Sequence, residues 1–102
     1  MLIMFDLPTG SASEKKSYMK FRKFLLDDGY RMEQFSVYTR SCLGQDNADT
    51  HIGRLRANLP EAGRVIALVL TEKQYEDRKV LVCSSEYETK TADLGSQMTL
   101  FF

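Results

Sequence analysis

The chain opens with an apolar run over residues 2–7, broken only by Asp6 and stopped by Pro8 and Gly10. Such a run predicts a buried strand carrying a carboxylate at its C-terminal end. Ser11 and Glu14 then stand three apart, the spacing of a capping box, and a helical pattern follows. Tyr18, Phe21, Phe24, Leu25 and Asp28 fall on one side at helical spacing, and Gly29 supplies the stop. Asp27 and Asp28 in the last turn oppose the helix dipole, so some other interaction must hold them there. Residues 31–42, RMEQFSVYTRSC, alternate in type and are rich in β-formers; they fit one bent strand or a tight hairpin.

After a polar GQDN loop, Ala48, Ile52, Leu55 and Leu59 keep helical spacing to Pro60, which predicts a second helix over about 48–59. RVIALVLT, residues 64–71, reads as a strand. Thr71 and Gln74 repeat the capping-box spacing, so TEKQYED predicts one helical turn, and RKVLVCS, residues 78–84, predicts another strand. The order of elements indicates an α+β sandwich, two helices on one face of a largely antiparallel sheet, best fitted by a split βαβ arrangement. The 102 residues suit a single domain: a core over 1–85, a polar connection over 86–95, and an apolar ending, SQMTLFF over 96–102, that needs something to cover it.

Composition excludes more than it selects. With 43% hydrophobic and 27% charged residues, the chain is neither disordered nor disulfide-built. No run approaches the ~20 apolar residues that span a bilayer, and no signal peptide is read, so a soluble cytoplasmic protein is expected. Cys42 and Cys83 form no ligand pattern and are expected as buried free thiols.

Lys+Arg and Asp+Glu balance at 14 each, so any affinity for polyanions must come from where the positive charge sits. Residues 14–23 carry Lys15, Lys16, Lys20, Arg22 and Lys23 against Glu14 alone, on the side expected to face away from Tyr18, Phe21 and Leu25. That face could follow a phosphate backbone, with Arg31, Arg40, Arg54 and Arg56 extending it, although a merely solvated helix is the plainer account. Met19 and Leu26 interrupt it, as a protein contact or a wide core stripe would. Asp6 has two readings as well: it caps the following turn, or it meets a second copy to give the carboxylate pair that suits Mg²⁺. His51 is expected to be structural. Ser36, Tyr38 and Thr39 fit strand polar positions as well as phosphate contacts. No serine–histidine–acid grouping, glycine-rich phosphate loop or zinc spacing is present.

MFDLP, a basic helix with FRKFLLDDG, and QFSVYTR, joined by IGRLRANLP and LTEKQY, together resemble the small adaptation proteins of CRISPR systems, in particular the variety beside Cas9-type loci. The resemblance covers nearly the whole chain. It implies a ferredoxin-like βαββαβ fold and a symmetric homodimer in which an added C-terminal strand, here within 96–102, completes the partner's sheet. It also implies that Asp6 is a Mg²⁺ ligand, one ion being shared by the two copies, and the candidate catalytic residue of a metal-dependent endonuclease on DNA or RNA. Its implied partners are the CRISPR integrase, whose dimers it bridges, and a short DNA duplex awaiting insertion as a spacer. Two positions depart from the family pattern: Phe5 where tyrosine is frequent, and Met32 where arginine is frequent, with Arg31 adjacent.

Overall fold

The structure, a computed structural model, describes residues 1–84. Four strands and three helices follow in the order β1 (Leu2–Asp6), α1 (Ala12–Asp27), β2 (Arg31–Gln34), β3 (Val37–Thr39), α2 (Gln45–Ala57), β4 (Arg64–Leu68) and α3 (Glu72–Glu76). The strands form one antiparallel sheet ordered β2-β3-β1-β4, which is the ferredoxin-like arrangement expected. The segment 31–42 resolves into a hairpin turning at Phe35–Ser36, with Ser36 in the left-handed region at φ 65°. The Ser36 carbonyl accepts from the Phe5 amide at 3.0 Å, so the hairpin tip sits beside the end of β1.

Both predicted capping boxes form. Ser11 Oγ accepts from the Glu14 amide at 3.1 Å, while Glu14 Oε1 accepts from the Ser11 amide at 2.9 Å. Thr71 and Gln74 repeat the pair at 3.1 and 2.9 Å. Helix α2 starts at Gln45, three residues before the expected Ala48, because a solvated first turn of polar residues carries no apolar period to reveal it. It also stops at Ala57, leaving Leu59 outside the helix and 49% exposed.

Helices α1 and α2 cover one face of the sheet. Strand alternation sends Ile3, Phe5, Met32 and Tyr38 into that layer, where they meet Phe21, Leu25, Tyr30 and Leu55. Each such fully buried apolar side chain contributes roughly 1.5–3 kcal/mol. Asp28 belongs to this layer too. Its Oδ2 lies 2.7 Å from His51 Nδ1 and its Oδ1 accepts from Arg54 Nη1 at 2.8 Å, tying the end of α1 to α2. A carboxylate only accepts, so His51 Nδ1 carries the shared proton. Burial by itself would raise the Asp28 carboxyl, but the hydrogen bonds and charges of His51 and Arg54 outweigh it and hold the group below the usual carboxylate range. This is the interaction that offsets the unfavourable dipole; Asp27 pairs on the surface with Lys23 at 3.0 Å.

Among the described residues the opposite face has no such helical layer. Leu2, Met4 and Asp6 lie directly across from Leu68, Ile66 and Arg64, and Val37 and Thr39 share their side. Helix α3 returns to this face, where the Tyr75 hydroxyl donates to Glu33 Oε2 and Arg78 Nε donates to Glu33 Oε1 at 3.2 Å. The Arg78 guanidinium also stacks 3.9 Å over the Tyr75 ring. Burial, reinforced by the Glu33 bond, pushes the Tyr75 hydroxyl well above its ordinary value.

Three expectations are corrected. Residues 78–84 join no strand, although Val80, Leu81 and Val82 are 66%, 89% and 90% exposed. Their composition favours a strand, but a strand exists only against a neighbour, and none among the described residues pairs with them. The cysteines are not buried as expected: Cys42 is half-buried and Cys83 exposed. Strand β4 ends at Leu68 rather than 71, with Val69 already 48% exposed. The expected connection 86–95 and exchange strand 96–102 lie outside the described residues. Among the described residues no helix is long and apolar enough to cross a membrane.

Candidate nucleic-acid and metal site

Asp6 ends β1 and is exposed, one residue beyond the best-anchored ring of the core. Phe5 packs edge-on to Phe21 at 5.4 Å, stacks on Tyr38 at 5.6 Å and tilts against Tyr18 at 6.0 Å between centroids. The strand therefore delivers its carboxylate from a fixed point. Across the ladder stands Arg64, the first residue of β4, in direct register with Asp6. Sequence reasoning passed over Arg64 because it reads only as the polar start of a strand. The signal was topological: when β1 and β4 pair antiparallel, the start of one must lie beside the end of the other.

Among the described residues no three His, Cys, Asp or Glu side chains gather closely enough to hold a metal ion. Asp6 alone does not make a Mg²⁺ site; two carboxylates with water and phosphate oxygens would.

The basic residues separate into distinct groups. Lys15, Lys16, Lys20 and Lys23 are exposed on the outer side of α1, with Met19 55% and Leu26 38% exposed among them, so these two are not core. Arg22 departs from expectation: it is half-buried and turns toward the Tyr38 hydroxyl. Burial pushes that hydroxyl up, and Arg22 pulls the other way. Arg40 is spent on architecture, its Nε donating to the Asp28 carbonyl at 2.7 Å and its Nη1 to the Ser41 carbonyl at 2.6 Å. Arg31 emerges on the open face of β2, whereas its neighbour Met32 is in the core. Arg54 serves Asp28, and Arg56 is exposed. Asp6 and the lysines of α1 therefore occupy opposite sides of the sheet, and one chain does not bring them together.

Comparison with known proteins bears on this arrangement. The family described as CRISPR associated protein Cas2 matches residues 1–78. A protein of Acidovorax ebreus is 46% identical over 101 residues, covering 99% of this chain and 98% of its own length. One from Flavobacterium psychrophilum is 47% identical over 101 residues, 99% of this chain and 86% of that protein. One from Streptococcus mutans is 41% identical over 98 residues, 96% of this chain and 90% of that protein. Each of the three is named CRISPR-associated endoribonuclease Cas2. With the sheet order and matches of this extent in agreement, the chain belongs to the Cas2 family of CRISPR-associated proteins.

Proposed function

We propose that this protein works in CRISPR adaptation as a homodimer that holds a DNA duplex and bridges two integrase dimers, in the bacterial cytoplasm beside a Cas9-type locus. Family membership supports the CRISPR role. The observation that supports the dimer is the face that the described residues leave uncovered, where half-buried Leu2, Met4, Val37 and Ile66 and 42%-exposed Leu68 adjoin a β4 edge that no described strand pairs. An apolar face beside an open edge calls for a partner, and a second copy brings its own face and its exposed Val80–Leu81–Val82 segment as the missing strand. Residues 96–102 would extend the same exchange. Leu81→Asp is expected to shift the dimer to monomer at micromolar concentration in sedimentation velocity. An unaltered dimer would count against this mode of pairing.

Pairing through that face would draw the two Asp6 residues toward a common axis and supply the second carboxylate for one Mg²⁺. Such an ion polarises a phosphate and lowers the pKa of an attacking water. Asp6 would hold it, and Arg64 would offset phosphate charge from across the ladder. The names of the relatives favour a second reading, in which RNA cleavage is the main activity. Cleavage of single-stranded RNA and duplex DNA, measured side by side, separates the two. A single-stranded RNA-binding module finds least support, because Phe5 and Tyr38 on the central strands are buried and offer no stacking platform.

The duplex would lie along basic side chains that contact phosphates without reading bases. Reversing Lys16, Lys20 and Lys23 to glutamate is expected to weaken duplex binding and flatten its salt dependence. At about 0.9 per phosphate contact, the slope of log K against log salt falls by up to about 3. An unchanged slope would move the nucleic acid to another surface.

A further inference from the structure

We infer that Gly63 is a positioning residue for Asp6: the bare Cα of the α2–β4 turn seats on the Asp6–Leu7 peptide and fixes where the Asp6 carboxylate stands. The inference rests on the reading of Asp6 as the functional carboxylate and adds a residue that neither composition nor spacing singled out. Gly63 has φ +98°, and a Cβ there would lie 2.5 Å from the Asp6 carbonyl oxygen, 2.7 Å from Leu7 Cδ2 and 3.0 Å from Leu7 Cα. Two of these three atoms are backbone, so rotating a side chain cannot relieve the contact.

The strand end itself would have to move, and the structure directs where. Upstream, Phe5 is held by three aromatic neighbours. Downstream, Leu7 packs against the core cluster and, with Pro8, Pro60 and Ala62, lines a cleft of about 100 Å³. Accommodation therefore falls on Asp6, the residue between two anchored points. Opening the gap from 2.5 Å to an allowed contact displaces its peptide by several tenths of an ångström or more. Catalytic and metal sites tolerate about 0.5 Å of error, and a misplacement of about 1 Å costs on the order of 10²-fold in rate. If two copies share one ion, each displacement enters twice.

The test compares Gly63→Ala with Gly44→Ala in the full chain. Gly44 has nearly the same backbone, φ +93°, but a Cβ there meets nothing within 4 Å, so it carries the strain without the contact. Gly63→Ala should lose more stability than Gly44→Ala, because it adds the contact to the strain. Only Gly63→Ala should move the Asp6 and Leu7 amide resonances, weaken their paramagnetic broadening by Mn²⁺ alone, and lower kcat by 10- to 100-fold with nucleic-acid Kd within about twofold. Identical Asp6 and Leu7 resonances in Gly63→Ala and Gly44→Ala would overturn the proposal. If Gly63→Ala does not fold, Gly63→Ala/Leu7→Ala is compared with Leu7→Ala alone, since the Asp6 contact survives and the Cδ2 contact is gone. Failure of that pair to fold also overturns the proposal, because Gly63 then supports the fold rather than the carboxylate. Asp6→Ala with wild-type cleavage would sink the reading of Asp6 and leave the resonance comparison standing.

Discussion

Asp6→Ala is expected to abolish Mg²⁺-dependent cleavage, by ~10³-fold or more, while duplex binding and spacer acquisition persist. An ion that stabilises transition-state charge supplies several kcal/mol, and ~4 kcal/mol corresponds to that factor. The variant is clean because Asp6 is exposed at a strand end, so folding should change by no more than about 0.5 kcal/mol. Thermal unfolding and sedimentation check that, and cleavage and acquisition assays then separate the two roles. Loss of acquisition in a folded, dimeric variant would mean that the adaptation role itself needs the carboxylate. Retained cleavage would place the chemistry elsewhere.

The largest effect on stability is expected at Asp28, in the contact between α1 and α2. Asp28→Ala leaves the buried His51 Nδ1 without its acceptor, whereas Arg54, 55% exposed, turns to water. Breaking a buried pair in this way costs about 3–5 kcal/mol, and the low end applies because one partner is half solvated. Urea unfolding at neutral pH measures the loss; a change under about 1 kcal/mol would show that the pair contributes little. The pH dependence has a definite sign. The carboxyl lies below its ordinary value in the folded chain, so its contribution is complete above the unfolded value near 3.9 and disappears as pH falls through the folded one. Asp28→Asn should flatten the acid side of the stability curve below about pH 4. An unchanged acid slope would refute that assignment.

Most of the fold was legible because its signals are local. Ser11 and Thr71 declare their helices through side chains three residues away, and Phe21 and Leu25 mark a buried stripe by spacing alone. The candidate carboxylate was legible for the same reason, as a charge ending an apolar run. What stayed hidden depends on residues distant in sequence. Arg64 faces Asp6 only through the β1–β4 ladder, and Arg22 reaches Tyr38 only once α1 lies on the sheet. Gly63 looks like any turn glycine until the strand beneath it is in place. Val80–Val82 shows the converse: a strand pattern was read correctly as composition, but the neighbour it needs is not within residues 1–84 of the same chain.

The β4 edge that the described residues leave open also sets a limit on how this protein can be handled and made. Hydrogen-bonding groups along an uncovered strand accept any extended segment that arrives first, whether or not it is the right one. Under the proposed pairing the right segment comes from a second copy, so wrong partners compete most when copies are scarce or when their pairing is weakened.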